Sequence, residues 1–428
     1  MERFEPLAVP SAQDESAAFG FAPCEGGVCC AAGVRAAGVS AGFRRNPNRL
    51  DLALVAAEKP CVAAATFTTN RFCAAPVSVS RAHVASGTAR AVVLNSGNAN
   101  AATGEPGLEV AERSAQLVAR ELGCDADDVL VASTGVIGVQ LPFEPFETGV
   151  PAAVRALART PEAAHDAACA VMTTDTVAKE VSIEGVAPQL AGEGVRVHVG
   201  GFVKGSGMIQ PNMATMLAVL ATDAPLTHEA AQAALREAVS CSFNKVTVDS
   251  DTSTNDSCFL LATGAAGGEK IDCSHPAYPV IAGALRAACV ELARKIAADG
   301  EGSTKLVTVT VMGAESEGDA DTVARAIANS PLVKTAIFGH DANWGRVAAA
   351  AGKCGVAFDQ REVDIDFLGV PVCRAGLAVP MDEEDMLRRF EAPEVSVTVS
   401  LGSGGSCARV WTCDLTHDYV TINGDYRT

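Results

Sequence analysis

Hydrophobic positions along the chain recur with two spacings, and each spacing predicts one kind of secondary structure. Alternating or unbroken apolar runs predict strands at residues 91–94, 129–132, 195–203, 216–221, 306–312, 363–367, 395–401 and 409–413. Apolar positions three or four residues apart predict helices at 108–122, 161–172, 228–239, 277–298 and 319–328, with a further helix among the last strands. Pro161 suits a first helical turn, and Thr227 is a candidate helix cap. This mixture predicts an α/β fold of mixed α+β layers.

Composition and charge narrow the class of protein. The 428 residues suffice for two or three domains, and 48% hydrophobic with 20% charged residues is ordinary globular composition. A formal charge of -18 argues against nucleic acid and against anionic membranes as partners. No apolar run approaches the length of about 18 residues that spans a bilayer. Glu2 and Glu5 near the start do not resemble a signal peptide, so we expect a cytoplasmic protein.

The fifteen cysteines are scattered, and no pair has the spacing of two or three residues that zinc sites usually show. Their number is odd, and a chain of this length does not need disulfides to fold. We therefore expect no metal site, and most cysteines should act as small buried hydrophobes.

The segment KGSGMIQPNMATML at 204–217 contains the clearest candidate chemistry. Its glycines permit unusual backbone angles, and Pro211 restrains the chain just before an apolar strand. At such a junction the Thr215 hydroxyl can attack the preceding carbonyl, and the resulting ester, once hydrolysed, frees Thr215 with its own α-amine. That amine has a reference pKa of about 7.7–8.0 and can act as base for the hydroxyl. The alternative is that Thr215 simply begins a strand, which threonine favours.

This segment resembles the cleavage segment of the ornithine acetyltransferase family, the bifunctional glutamate N-acetyltransferases/amino-acid acetyltransferases of arginine biosynthesis. Further similar motifs occur in the family's order and extend the resemblance from about residue 25 to the end. They are NSGNANA at 95–101, ASTGVIG at 132–138, MTTDT at 172–176, DTSTND at 251–256, EGSTK at 301–305, KTAIFG at 334–339 and DANWGR at 341–346. One departure is Ser250, where the family usually has glycine.

The resemblance implies a two-lobed, self-processing, amino-terminal-nucleophile-like acyltransferase fold. Cleavage between Ala214 and Thr215 would give an α chain, 1–214, with the oxyanion hole and cleavage loop, and a β chain, 215–428, beginning with the nucleophile. The oxyanion hole maps onto Thr134 and Gly135, which suits N–H donors facing a tetrahedral intermediate. Gly135→Val is therefore expected to impair turnover more than folding.

The resemblance also implies the substrates, N-acetylornithine and glutamate, and a ping-pong transfer through acetyl-Thr215. The implied substrate contacts are Thr173, Lys204, Thr215, Glu301, Asn423 and Thr428. We expect Lys204 to pair with a substrate carboxylate and Glu301 with the ornithine ammonium. No cofactor is expected, acetyl-CoA is left open as a second acetyl donor, and an α2β2 heterotetramer is implied. A role for Asn423 and Thr428 requires the C-terminal tail to fold back over the site.

Two other functions remain as alternatives. An amino-terminal-nucleophile amidohydrolase or aminopeptidase would use the same self-cleavage but transfer the acyl group to water. A non-catalytic binding protein would keep the chain intact. Asp341, Asn343, Trp344 and Arg346 form a polar cluster to which we assign no role, because a structural turn is an equally good interpretation.

Overall fold

The structure, a computed structural model, describes residues 17–187, 190, 194–210 and 216–425. Its strands in chain order are β1 Phe21–Pro23, β2 Val34–Val39, β3 Leu52–Phe67, β4 Thr88–Asn98, β5 Val129–Val136, β6 Lys179–Ala187, β7 Val195–Lys204, β8 Leu217–Thr222, β9 Ser257–Ala262, β10 Leu306–Ala314, β11 Asp364–Phe367, β12 Val370–Arg374, β13 Leu377–Ala378, β14 Glu394–Ser400 and β15 Ser406–Cys413.

The α-helices are α1 Ala75–His83, α2 Gly104–Leu122, α3 Glu144–Ala156, α4 Pro161–Ala170, α5 His228–Cys241, α6 Tyr278–Ala298, α7 Glu317–Ala328, α8 Pro331–Phe338, α9 Trp344–Gly352, α10 Glu383–Arg389 and α11 His417–Asp425. Short 3₁₀ turns occur at Gly27–Cys30, Val84–Ser86, Ala126–Asp128, Phe243–Lys245 and Gln360–Glu362. The side chains of Thr160 and Thr227 accept hydrogen bonds from the first turns of α4 and α5, so a threonine caps the start of each helix.

The larger sheet has the strand order β1-β6-β7-β8-β9-β3-β4-β5, with β2 paired to β3. Strand β3 is 16 residues long and pairs with β4 through its first half and with β9 through its second. The pairing shifts between Ala56 and Cys61, where β3 passes from one half of the sheet to the other.

The two halves of this sheet face each other across one core. Val92 of β4 and Leu130 of β5 share a hydrophobic cluster with Val219 of β8 and Phe259 of β9. Alternate residues of the same strands pack outward, against α5 and α6 on one side and α1, α2 and α3 on the other. Because successive strand residues point to opposite faces, both halves are buried on both sides. The result is four layers, helix–sheet–sheet–helix.

The smaller sheet contains β13-β12-β11-β14-β10-β15 and packs against α7, α8, α9 and α10. Strands β10 and β14 are parallel, and β15 is antiparallel to β10. Two sheets with separate cores agree with the expectation of two lobes. The predicted chain boundary at 214/215 does not coincide with the division between the sheets, because β1–β7 and β8–β9 belong to the same sheet.

The prediction of mixed α/β layers is confirmed, and each strand and helix predicted above overlaps one in the structure. The sequence patterns did not predict several elements, among them β3, β9, α1 and α3. Strand β9 is buried on both faces, so it lacks the alternation that identifies a half-exposed strand. No helix in the described ranges is both long and apolar enough to cross a membrane.

Candidate active site

Strand ends from both halves of the sandwich meet at one edge and carry the predicted site. Strands β4 and β5 run parallel and end there with Asn98 and Val136. Strand β7 ends at Lys204, which pairs with Leu217, the first residue of β8. Strands β8 and β9 also begin at this edge, since Leu217 pairs with Ser257.

A cavity of about 270 Å³ opens at this edge. The described residues that line it are Ala99, Thr134, Gly135, Ile137, Thr173, Thr174, Lys204, Gly207, Met208, Ser253, Asn255, Glu301 and Asn423. Its volume is just below the range of about 300–1,000 Å³ that is usual for small-molecule sites. The cavity therefore fits a ligand of amino-acid size.

Thr134 and Gly135 lie at the end of β5 on one wall of the cavity. Gly135 has φ 132°, and a side chain there would overlap the backbone of Gly97 and Asn98 on β4. Only glycine fits this close approach. A valine at this position would force the two strand ends apart, so Gly135→Val should disturb folding as well as turnover, and the expectation that turnover suffers more stays a prediction.

Asparagine side chains hold this wall in place. Asn255 Nδ2 donates to the carbonyl oxygens of Ala99, at 2.5 Å, and Ser133, at 2.9 Å. Ser133 Oγ in turn donates to Asn95 Oδ1 at 2.6 Å. These bonds join the ends of β4, β5 and β9, so the backbone beside Thr134 is rigidly oriented before any ligand arrives.

Lys204 lies on the opposite wall and is 5% exposed. Its Nζ donates no hydrogen bond to any part of the chain that the structure describes. Burial lowers the pKa of Lys204 below its ordinary value, while the carboxylates of Asp175, Asp256 and Glu301 act in the opposite direction. Lys204 Nζ is not among the enclosed, unpaired polar atoms of the described chain, so it is open to the cavity, where a ligand anion can accept its hydrogen bonds.

An ion-pair network lies next to Lys204 on the protein side, away from the cavity opening, and contacts the backbone after it. Lys179 is fully buried, and its Nζ lies 2.7 Å from Asp175 Oδ1 and 2.5 Å from Asp299 Oδ2. Asp175 also accepts the backbone N–H of Gly205 at 2.7 Å. Burial would raise the pKa of Asp175, but Lys204 and Lys179 hold it well below its usual range. The network thus fixes the backbone immediately after Lys204.

Glu301 closes a third side of the cavity together with the C-terminal helix. Asn423 on α11 donates through Nδ2 to Glu301 Oε2 at 2.7 Å. The carboxylate lies directly against Gly207, where any side chain would collide with it. Helix α11 therefore lies at the site, as a role for Asn423 requires.

Thr173 reaches the cavity from the turn after α4. Its backbone N–H donates to Asp175 Oδ2 at 2.9 Å, and its carbonyl accepts from Arg49 Nη2 at 2.8 Å. Arg44 Nη2 donates to the neighbouring carbonyl of Met172 at 2.7 Å. This turn is therefore fixed at several backbone atoms, and the Thr173 side chain faces a preformed cavity.

A further carboxyl group, that of Asp256, is buried next to the predicted cleavage junction. Burial raises the pKa of Asp256 well above its ordinary value. A hydrogen bond from the Met216 backbone and the charge of Lys204 act to lower this pKa, but burial has the larger effect. Asp256 Oδ2 has no hydrogen-bond partner among the described residues. Met216 is itself 5% exposed and accepts the Ser257 N–H at 3.0 Å.

The structure brings together Thr134, Gly135, Thr173, Lys204, Glu301 and Asn423 around one cavity. Ala214, Thr215 and Thr428 lie outside the described residues. Sequence reasoning missed Asn255 and Ser253 as lining residues, although both belong to the DTSTND motif, and missed Asp175 within MTTDT. Their presence in motifs of the resemblance was the only available signal, because their roles depend on partners distant in sequence.

The polar cluster at 341–346 and the departure at Ser250 have local structural explanations. Asn343 caps α9 by accepting the Arg346 N–H at 3.2 Å, and Arg346 Nη1 donates to the Leu332 carbonyl at 2.7 Å. The cluster at 341–346 is thus a structural turn away from the cavity. Ser250 has φ 67°, a left-handed angle that glycine adopts more easily. Across the described ranges, no group of three or more His, Cys, Asp or Glu side chains is arranged to hold a metal ion.

Comparison with known proteins gives a consistent result. A model of the ArgJ family matches residues 35–428. The arginine biosynthesis bifunctional protein ArgJ of Symbiobacterium thermophilum is 48% identical over 404 residues, covering 94% of this chain and 99% of that protein. The protein of the same name from Desulfotalea psychrophila is 45% identical, covering 91% and 98%.

A solved chain of ornithine acetyltransferase from Mycobacterium tuberculosis, complexed with ornithine, is 39% identical over 45% of this chain and 97% of that chain, with a TM-score of 0.40. The family model and the full-length relatives together confirm the resemblance found in the sequence. The chain belongs to the ArgJ family.

Proposed function

We propose that this chain transfers an acetyl group from N-acetylornithine to glutamate in arginine biosynthesis. The observation that carries the proposal is the buried Lys204 ammonium, which faces the cavity without a hydrogen-bond acceptor in the described chain, opposite Thr134 and Gly135. An amino-acid carboxylate is a suitable acceptor for it. Full-length relatives named as bifunctional proteins of arginine biosynthesis support this choice of substrate.

Charge complementarity orients the donor in the cavity. In our proposal the α-carboxylate of N-acetylornithine pairs with Lys204, and its terminal ammonium pairs with Glu301. Asn423 already occupies one lone pair of Glu301 Oε2 and holds the carboxylate in place. Glutamate shares the α-carboxylate and therefore uses the same contact with Lys204 in the second half-reaction.

Thr215 is the proposed nucleophile, freed by cleavage after Ala214. The peptide bond joins it to Met216, whose carbonyl is hydrogen-bonded to Ser257 at the cavity edge. The hydroxyl attacks the acetyl carbon while the α-amine of Thr215 accepts its proton. Ornithine leaves with a proton on its amine, and acetyl-Thr215 remains. The amine of glutamate then attacks the ester and regenerates the hydroxyl.

Thr134 and Gly135 are proposed to bind the oxyanion that forms in both half-reactions. The Thr134 hydroxyl donates to no acceptor in the described parts of the chain, so it is available to the intermediate. The strand ends around it are fixed by Asn255, and such preorganised donors stabilise charge without reorganisation. The chemistry needs no cofactor in this scheme, and acetyl-CoA is at most a second donor.

The proposed product of cleavage is an α chain, 1–214, and a β chain, 215–428, that remain together as an α2β2 heterotetramer. The association of α with β is supported by β7 and β8, which are adjacent antiparallel strands on either side of the junction, paired from Lys204↔Leu217 to Val199↔Thr222. Breaking one peptide bond between them leaves this pairing intact.

The decisive experiment follows ornithine release from N-acetylornithine with and without glutamate. If the protein transfers the acetyl group to glutamate, ornithine release beyond the first turnover is fast only when glutamate is present. An amidohydrolase would release ornithine at the same rate without glutamate. Thr215→Ala should give an uncut, inactive chain, and Thr215→Ser should retain some cleavage because the hydroxyl remains. An active, uncut Thr215→Ala protein would refute the proposed nucleophile.

A further inference from the structure

Three side chains of α4 and β6 form a hydrogen-bonded series apart from the cavity. The sulfur of Cys169 lies 3.4 Å from Nε2 of His165, and Nδ1 of His165 lies 2.7 Å from Glu180 Oε2. Cys169 and His165 are one helical turn apart on α4, and Glu180 is the second residue of β6. None of the three is among the described residues that line the candidate active site. The transferase chemistry proposed above therefore does not use them.

The Glu180 carboxylate determines which nitrogen of the neutral His165 ring carries the proton. A carboxylate only accepts hydrogen bonds, so Nδ1 of His165 donates to it. In the neutral ring Nε2 is then unprotonated and accepts the hydrogen bond of the Cys169 thiol. The thiol proton thus faces a base whose other nitrogen is held by an anion.

Glu180 is held in place by its surroundings. Its backbone pairs with Phe202 in the sheet, and its carbonyl accepts Lys295 Nζ at 2.6 Å. Its Oε1 packs against Gly27, where a Cβ atom would approach the oxygen to 2.7 Å. The Glu180 side chain is 23% exposed, whereas that of His165 is 59% exposed. The carboxylate can therefore orient the imidazole, while the imidazole remains accessible to solvent and to small molecules.

Cys169 is a free, half-buried cysteine that needs a base in order to react. Burial raises the pKa of Cys169, and the charges of Glu180 and Asp166 add to this effect. The resting side chain is therefore a thiol rather than a thiolate near neutral pH. Because the thiolate is the nucleophile, the proton must leave as the sulfur attacks, and Nε2 of His165 is placed to accept it.

We infer that Cys169, His165 and Glu180 form a modification site at which Cys169 exchanges with a small disulfide. The Cys169 sulfur attacks one sulfur of the disulfide while Nε2 of His165 takes up the thiol proton. The S–S bond of the small molecule breaks, and the leaving thiolate takes the proton back from His165. The products are a mixed disulfide on Cys169 and one free thiol, so no further oxidant is required. Glu180 stabilises the imidazolium between the two proton transfers.

The charges around the site favour a cationic disulfide. Glu162 and Asp166 are exposed residues of α4 that precede Cys169 by two turns and one turn, so they share its face of the helix. Glu180 adds a third carboxylate, and the whole chain has a formal charge of -18. A disulfide that carries ammonium groups, such as cystamine, should therefore react faster than an anionic one, such as dithiodipropionate.

The first test incubates the reduced full chain with cystamine near neutral pH, blocks the remaining thiols at intervals and quantifies mixed disulfides by peptide mass spectrometry. The control thiol is Cys124, which is also half-buried with a pKa raised by burial but has no hydrogen-bonded imidazole in the described chain. His165→Gln should fold, because a surface ion pair contributes little to stability. We expect this variant to lower the rate at Cys169 at least about tenfold and to leave the rate at Cys124 unchanged. A smaller decrease at Cys169, or an equal decrease at both thiols, would overturn the proposal.

The second test compares cystamine with dithiodipropionate at Cys169 in the native protein and in Asp166→Asn. We expect the ratio of the two rates to fall about twofold or more in the variant, because one negative charge near the sulfur is removed. His165→Gln should slow both disulfides alike and leave the ratio unchanged. The same ratio in the native protein and in Asp166→Asn would contradict the preference for a cationic disulfide. Neither test requires acetyl transfer, so its result is independent of the proposed transferase activity.

Discussion

The region of the six-stranded sheet and the region of the cavity both bury lysine side chains, with different partners. Lys305, just before β10, donates to the carbonyls of Phe390 at 2.7 Å and Ala392 at 2.9 Å. Lys334 on α8 donates to the Val248 carbonyl and, at 3.2 Å, to Thr412 Oγ1. Lys204 at the cavity is equally buried, yet its ammonium donates no hydrogen bond within the described chain.

The difference separates structural charges from binding charges. A buried ammonium whose donors are all used holds backbone segments together and stabilises the fold. An ammonium that opens to the cavity and has no acceptor within the described chain is left for an anion that binds there. Lys179 belongs to the first kind, because it is paired with Asp299 and with Asp175, whose carboxylate accepts from the backbone of Thr173 at the cavity. The role of a buried lysine therefore depends on whether its ammonium is hydrogen-bonded within the protein. It does not depend on how close the lysine lies to the cavity.

Lys179→Met should give the largest effect. It leaves the carboxylates of Asp175 and Asp299 without their cation, and removing one partner of a buried ion pair costs about 3–5 kcal/mol. Urea unfolding of the variant and the native protein measures the loss. A change below about 1 kcal/mol would mean that Lys179 is not a structural charge.

Asp175 adds a pH dependence to the same network. Because its folded pKa is lowered, its stabilising contribution is fully present above its unfolded pKa of about 3.9 and is lost as the pH falls through the folded value. Asp175→Asn should therefore be less stable than the native protein near neutrality, and the two stabilities should converge in acid. A stability gap that is constant with pH would contradict this assignment.

Lys204→Met tests the other half of the comparison. We expect kcat/KM to fall about 10²–10³-fold, because the substrate carboxylate loses its partner. The free energy of unfolding should fall by less than in Lys334→Met, because Lys204 makes no hydrogen bond in the described chain, although its charge helps to lower the pKa of Asp175. Lys334→Met is the matched control and should lose about 2 kcal/mol of stability while the folded protein keeps its activity. Equal stability losses for both variants would break the distinction.

Glu301→Gln keeps the size of the side chain and removes its charge. We expect kcat/KM for N-acetylornithine to fall about tenfold, while N-acetylnorvaline, which lacks the terminal ammonium, is affected much less. Steady-state kinetics with both donors measures the difference. The same loss for both donors would show that Glu301 does not bind the ammonium.

Ser250→Gly should have the smallest effect. Relief of the left-handed angle is worth about 1–2 kcal/mol, and the greater flexibility of glycine in the unfolded chain offsets part of it. We expect a gain of about 0.5–1 kcal/mol in unfolding free energy with unchanged kcat/KM. A lower melting temperature would show that Ser250 makes a stabilising contact.

The sequence predicted the type of fold and six of the thirteen described residues that line the cavity, for specific reasons. Alternating or unbroken apolar runs located strands such as β8 and β14, and the family resemblance identified Lys204, Glu301 and Asn423. The sequence did not reveal that β3 joins the two halves of the sandwich, because this depends on its pairing with both β4 and β9, and it did not identify the buried strand β9. Nor did the sequence predict the structural role of Lys179, which depends on partners such as Asp299, 120 residues away in the chain.

The proposed self-cleavage and the acetyl-Thr215 intermediate are tested most directly by intact-mass spectrometry of the purified protein before and after N-acetylornithine is added. We predict two chains that meet at Ala214 and Thr215, and one acetyl group added to the chain that begins with Thr215 and removed again by glutamate. An uncut polypeptide with full transfer activity, or an acetyl group on any other residue, would contradict the proposed mechanism.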